Sequence, residues 1–414
     1  MTTYTIKGEK ELRRKTLYRI LMLLAACMLT GCSGSSDESD SLSETQPAHD
    51  DGEKPQQHLL GFTAHFADSE ANAASRLTRA TGDGELTTEL LQAKGFGVYC
   101  WYTGTDIFNP ASNIRNYTKS ILMLNQHVTY SGGQWNYSPS KYWPLADNEN
   151  LTFRAYAPYV SYNLQTNEHG MPMLPVVVDK DDYQNGTQHD PLWGTGKHGG
   201  TDDEETTYGL LYDNYNYERS GDLIGKDSRD GTIHWYFHHG MSKLMFACSV
   251  IADPGCESVT ITSITITPLY NQGLLSLSSA TASSSEKPTW EECDGEMTVT
   301  IDKEHLASYP NPLKITTKTS EPTAYVNLLE KGLLIIPRNF TSSPMSVTVK
   351  YKIDDEPDEL EAVGTIPQQF DGNTSYTLGL SLTPSTKGLE ITIVHSAFTD
   401  WQPGGTGTHA VYNW

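Results

Sequence analysis

Apolar and polar side chains alternate with a period of two along most of this chain, and that period predicts strands. Met345, Val347, Val349, Tyr351 and Ile353 alternate with Ser346, Thr348, Lys350 and Lys352, giving one apolar and one wet face. Tyr376, Leu378, Leu380 and Leu382 repeat the pattern, and Leu389, Ile391 and Ile393 continue it. Val259, Ile261, Ile264 and Ile266 slip phase between Thr262 and Ser263, where a bulge is expected. Leu151, Phe153, Ala155 and Ala157 predict another strand, closed by Pro158. Ile233, Trp235 and Phe237 share one face, as do Leu244, Phe246, Cys248 and Val250. Leu86, Leu90 and Leu91 support one short helix. Strands separated by Gly, Pro, Asn, Asp and Ser clusters predict packed antiparallel sheets, hence β-sandwiches. The polar stretch Asp179–Arg229 reads as an elaborated loop region.

The N-terminus has a different pattern. Lys7, Lys10, Arg13, Arg14, Lys15 and Arg19 precede an apolar run from Ile20 to Leu29, too short for the ~20 apolar residues of a spanning helix. This is the layout of a cleaved export signal. It ends in Leu29-Thr30-Gly31-Cys32, which resembles the bacterial lipobox and implies cleavage between Gly31 and Cys32 with acylation of Cys32. Ser33 to Pro55 is small, polar and acidic, a composition that reads as a flexible tether. Its serine- and acid-rich start resembles the surface-export signal of Bacteroidetes lipoproteins.

Composition narrows the partners. The net charge of −22 becomes −26 once residues 1–31, with six basic and two acidic side chains, are removed. Nucleic acid and anionic membranes are therefore disfavoured as partners. About 350 residues follow the leader and tether, enough for about two domains. Cys100, Cys248, Cys256 and Cys293 remain after Cys27 and Cys32 are accounted for, and three full disulfide pairings are open to them.

Chemistry-bearing constellations are sparse. The chain has no Gly-x-Ser-x-Gly elbow, no His-Glu-x-x-His and no phosphate-binding glycine loop, so no catalytic residue is assigned and no enzyme activity is expected. In a strand, His234 and His238 would share a face opposite Trp235 and Phe237; with His239 they read as polar strand residues or rings packed at a sheet end. No carboxylate shares that spacing, so neither a metal site nor a cofactor is expected. Asp179-Lys180-Asp181-Asp182 begins like a calcium loop, but Tyr183 and Gln184 occupy the positions of a ligand and the glycine. Aromatic residues cluster at Trp135, Tyr137, Tyr142 and Trp143, and again at Tyr208, Tyr212, Tyr215 and Tyr217. Such clusters stack on sugars when exposed, and build cores when buried.

The first cluster belongs to a longer pattern. Trp135-Asn136-Tyr137-Ser138-Pro139, then Lys141-Tyr142-Trp143-Pro144, then Leu151–Pro158, resemble the Bacteroidetes fimbrillin (Mfa-like, type V pilin) family. Phe237–Leu244, Leu333–Pro337, Phe370–Tyr376 and Trp401 extend the resemblance across nearly the whole exported chain. The resemblance implies an all-β fold of two tandem transthyretin-like antiparallel β-sandwich domains. We accordingly expect a signal peptide at 1–31, a tether at 32–58, an N-terminal domain at 59–227 and a C-terminal domain at 228–414.

It further implies a cell-surface lipoprotein of the outer membrane that assembles into a pilus and contributes to adhesion. The implied partners are other pilin subunits joined by strand exchange, the lipoprotein export and lipidation machinery, and an arginine-specific protease; a surface ligand is not specified. The family's maturation maps here onto Arg79-Ala80, with Arg76 as a competing cut. It would remove a first strand built from Leu59, Leu60, Phe62, Ala64 and Phe66. The tail from Thr399 to Trp414 contains Gly404-Gly405-Thr406-Gly407 and makes a poor long donor strand, which favours a tip, anchor or minor subunit over a stalk. The alternative is an uncleaved, lipid-anchored adhesin or glycan-binding protein that does not polymerise.

Overall fold

The two-residue period becomes strand wherever it is strongest, and the described residues are all-β apart from short helices. The computed structural model describes residues 57–66, 88–198, 207–217, 231–278, 289–317 and 322–398. The first strands are β1 (Gly61–Phe66), β2 (Phe96–Gly104), β3 (Ser120–Ser131), β4 (Gln134–Asn136) and β5 (Asn150–Ala157). Next come β6 (Gln165–Thr166), β7 (Pro172–Val177), β8 (Leu192–His198), β9 (Thr207–Leu210) and β10 (Thr232–His239). Then follow β11 (Ser242–Val250), β12 (Ser258–Leu269), β13 (Gln272–Ser276), β14 (Thr289–Asp294), β15 (Met297–Asp302) and β16 (Leu313–Thr316). The remaining strands are β17 (Val326–Asn327), β18 (Leu333–Ile335), β19 (Arg338–Asn339), β20 (Met345–Ile353), β21 (Leu360–Ile366), β22 (Gln369–Phe370), β23 (Thr374–Thr383) and β24 (Gly388–Phe398).

The N-terminal sheet runs β1-β10-β8-β5-β2-β3-β4, with β9 added beside β8. One face carries Phe62, Phe96, Phe153, Ile233, Trp235 and Phe237 in a common core. The opposite face, with Tyr99, Trp101, Tyr156 and Trp193, packs on Leu174 and Leu275 of a second sheet, β14-β13-β7-β6. Because both faces are covered, β5 is buried along its whole length and its expected alternation is lost.

The C-terminal half is a sandwich. One sheet pairs β17 and β18 with β11, then β23 and β24; the other pairs β15 and β16 with β12, then β20 and β21. Val347, Val349 and Tyr351 of β20 meet Leu378, Leu380 and Leu382 of β23 in one core. The register of β12 against β20 shifts between Ile261 and Ser263, at the expected slip.

Two expectations need correction. Pairing is not purely antiparallel: β1 lies parallel to β10, and β11 parallel to β23. The polar stretch Asp179–Arg229 is not all loop, since it contributes β8 to the middle of the N-terminal sheet. Gly194 and Gly196 mask that strand in sequence. Gly194 is required there because a Cβ would come within 2.9 Å of Trp235 and 3.1 Å of the Ala155 Cβ. The sequence left the state of the cysteines open, and Cys100, Cys248, Cys256 and Cys293 are free thiols. Burial raises the Cys248 thiol to about 12 and Cys293 to about 11, so neither is a ready thiolate.

The expected domain boundary near Asp227 falls outside the described residues. The strand that follows it, β10, hydrogen-bonds with β1 and β8 of the N-terminal sheet. The crossing to the C-terminal sandwich comes at Gly240-Met241, between β10 and β11. There Gly240 donates to the Pro191 carbonyl at 2.7 Å, and a Cβ on Gly240 would come within 2.6 Å of that oxygen.

Candidate functional site: the seat of the first strand

β1 occupies one end of the N-terminal sheet, in register with β10 from Gly61 opposite Thr232 to Phe66 opposite Phe237. Its inward side chains follow the pleat. Phe62 lies beside Ile233, Ala64 beside Trp235 and Phe66 beside Phe237. Leu60, Phe62 and Phe66 are buried and Ala64 is half-buried, whereas Leu59 is 54% exposed. Phe62 has Tyr137 at 5.3 Å, Phe96 at 6.3 Å and Phe153 at 6.5 Å between ring centroids. Burial of three such side chains contributes roughly 1.5–3 kcal/mol each.

The aromatic cluster at Trp135–Trp143 builds the other wall. Leu60 N–H donates to the Lys141 carbonyl and Trp143 N–H to the His58 carbonyl, both at 2.9 Å. Tyr137 O–H donates to the Leu60 carbonyl at 2.6 Å. Burial, the largest influence on Tyr137, raises its phenol to about 12, so it remains a donor through the physiological range. Trp143, fully buried, donates its indole N–H to the Gly231 carbonyl at 2.9 Å. Gly231 sits at φ +74 with the Leu59 carbonyl 2.6 Å from where a Cβ would be, so only glycine lets this backbone meet the first strand. Tyr142 is 43% exposed and bridges to Leu59. Sequence reading singled out these aromatics but missed that they clasp β1.

The second tyrosine cluster also serves this seat. Tyr212 and Tyr215 are buried, and Tyr212 O–H donates to the His234 carbonyl of β10 at 2.6 Å. Tyr217 stacks on His58 at 3.6 Å. These residues are held down by Arg154, whose guanidinium contacts Asp213 at 2.7 Å and donates to the Phe153 carbonyl.

The histidines are fixed into the same region. Thr63 and His234 share a hydrogen bond of 2.7 Å. His238 is fully buried and contacts the Thr195 hydroxyl at 2.8 Å. His239 contacts Asp190 at 2.6 Å and stacks on Phe66 at 5.8 Å. Among the described residues, no group of three His, Cys, Asp or Glu side chains converges as a metal site. The carboxylates of this stretch have local partners: Asp182 accepts from Asp179 N–H at 2.7 Å, Asp179 from Asp181 N–H at 2.9 Å, and Asp181 pairs with the Lys180 ammonium at 2.7 Å.

Burial, reinforced by His239, lowers the His238 imidazole from 6.5 to about 3. An unfolded chain would protonate this ring below about 6.5, while the folded chain resists until about pH 3. Its contribution to stability is therefore full above that window and declines as pH falls from 6.5 towards 3. Denaturation measured across those pH values should show a shallower decline in His238→Asn; an unchanged decline contradicts the assignment.

Gly31, Cys32, Arg76, Arg79, Ala80 and Trp401 lie outside the described residues. No helix among the described residues is long and apolar enough to cross a membrane.

A family model described as fimbrillin-like matches residues 78–401, so the match begins after β1. The fimbrium subunit Fim1C of Phocaeicola vulgatus is 36% identical over 85 residues, covering 20% of this chain and 21% of that protein. The aligned part is thus about a fifth of either chain. The crystal structure of a fimbrial protein from Bacteroides vulgatus aligns with 83% of this chain and 100% of its own, at 16% identity and a TM-score of 0.49. With the family model spanning most of its length, the chain belongs to the fimbrillin-like family.

Proposed function

We propose that this chain is a subunit of a surface fimbrium, exported as a lipoprotein and made competent for assembly by losing its first strand. The signal peptide is cut between Gly31 and Cys32, and acylated Cys32 anchors the precursor in the outer membrane. An arginine-specific protease then cuts between Arg79 and Ala80, and the segment bearing Leu59, Leu60, Phe62, Ala64 and Phe66 leaves. A strand from another subunit takes its place. The chain contributes to adhesion as part of the fibre, in a tip, anchor or minor position. This reading assigns it no catalytic residue and no cofactor.

The observation that carries the reading is the seat of β1. A short strand supplies Phe62 and Phe66 to the core, and among the described strands only β10 forms a ladder with it. Its loss would leave an apolar groove beside the unpaired edge of β10. An incoming strand would restore both ladder hydrogen bonds and alternate-residue packing. Surface lipidation and the arginine cut rest on the lipobox and on Leu77-Thr78-Arg79-Ala80 in the sequence.

The test is assembly by a chain that cannot be cut. With both Arg79→Ala and Arg76→Ala, the protein should reach the surface and remain monomeric, read by polymer ladders in unheated gels and by electron microscopy. Polymers formed by that variant would overturn the mechanism.

A further inference from the structure

A groove of about 270 Å³ runs beside β1, on the side away from β10. It is lined by Ala64 and Phe66 of β1, Leu91 of the helix Thr88–Lys94, and Tyr130, Gly133 and Trp135 around the β3–β4 turn. Thr63, His65, Thr88 and Gln92 complete the lining, and among the described residues no Lys, Arg, Asp or Glu contributes to it. The reason for the gap is local. β4 pairs with β3 only from Thr129 to Ser131, and the segment after β4 hydrogen-bonds just below β1, around His58–Leu60, and packs Tyr137 on Phe62. From Thr63 to Phe66, the outer edge of β1 faces the groove. Two members of the inward series Leu60, Phe62, Ala64 and Phe66 line the groove, and one of these two, Ala64, is the single small side chain of the series.

We propose that the first strand underfills its own seat at Ala64, and that the seat selects a replacing strand with a large apolar side chain at that register position. This inference rests on the strand-exchange reading and names the chemistry of the partner: an extended segment, apolar at four alternate positions and uncharged at the third. The groove is continuous with the seat that Phe62 and Phe66 already fill, so one strand would occupy both. Leu91 is fully buried, and Trp135 is packed at 5.0 Å on Phe96 and 5.1 Å on Tyr130. The walls are therefore fixed by their own contacts, and the space at Ala64 is not one that collapse has closed. A replacing strand with Leu, Met or Phe there would gain contacts that the resident strand lacks. Exchange would then run downhill, from an underfilled seat to a filled one.

Two measurements separate this inference from the reading beneath it. In the full chain, Ala64→Leu and Ala64→Phe should raise the thermal midpoint by about 2–4 °C. Ala64→Thr should raise it less, although Thr has the stronger strand preference. Midpoints for Leu and Phe at or below that of the parent, or below that of Thr, would overturn the inference. The second measurement uses full chain nicked after Arg79 and challenged with labelled synthetic peptides copying residues 57–67, with Ala or Leu at position 64. The Leu peptide should bind on the order of tenfold more tightly, and equal affinities overturn the selection. If the Ala64→Leu chain is stabilised while neither peptide enters, strand exchange fails as a mechanism and the partner proposed here fails with it.

Discussion

Replacing Phe62 by Ala should destabilise the full-length protein by about 3–5 kcal/mol, one of the largest effects of any single truncation in the N-terminal sheet. Phe62 is 5% exposed and meets Tyr137, Phe96 and Phe153 at once. Tyr137 and Trp143 are tied by hydrogen bonds to Leu60 and Gly231, so the surroundings have little freedom to collapse into the space left behind. Urea unfolding of the intact chain measures the loss. The same substitution should hasten departure of the first strand from a chain nicked after Arg79. A loss below about 1 kcal/mol would mean that β1 contributes little to its seat, and the groove exposed by its removal would then be a weak template.

A second large effect is expected from a residue that never touches β1. Arg154 is 1% exposed, and Asp213 is its carboxylate partner at 2.7 Å. Asp213→Ala would strand a buried guanidinium, a change that costs about 3–5 kcal/mol when a buried pair is broken from one side. Combining it with Arg154→Met should recover most of the loss, because the uncompensated charge goes too. The effect bears on function through Tyr212. That side chain adjoins Asp213 in sequence, and its hydroxyl holds the His234 carbonyl of β10. Loosening this segment should loosen the strand on which β1, or its replacement, is seated. Denaturation of the two single variants and the double variant forms the cycle; additive losses would contradict the pairing argument.

Much of the fold was legible because burial and alternation coincide. β20 and β23 are half-buried strands, so Val347, Val349, Leu378 and Leu380 announce themselves in sequence. β2 and β5 are harder to read, since both faces are covered and polar residues such as Thr152 and Arg154 are buried among apolar ones. β8 was hidden by its glycines, which are there to admit Trp235 and Tyr212 from neighbouring segments. The parallel pairings of β1 with β10 and of β11 with β23 had no local signal, because parallel neighbours are brought together by the path of the chain and not by a turn.

The candidate site was legible in pieces. The alternation of Leu60, Phe62, Ala64 and Phe66 is in the sequence, and so is the aromatic cluster around Trp135 to Trp143. What sequence cannot express is that the second clasps the first, through bonds as distant as Tyr137 to Leu60 and Trp143 to Gly231. Nor does it distinguish Ala64 as a place with room. That property belongs to Leu91, Tyr130 and Trp135, which line, with Phe66, a space beside the small Ala64 side chain.

The most direct test of the central claim is the intact mass and N-terminal sequence of the protein taken from the native cell surface. The account predicts a chain that begins at Ala80, having lost both the acylated Cys32 and the strand that contains Phe62. A chain that begins at a blocked, acylated Cys32 and retains that strand in assembled fibres would contradict it.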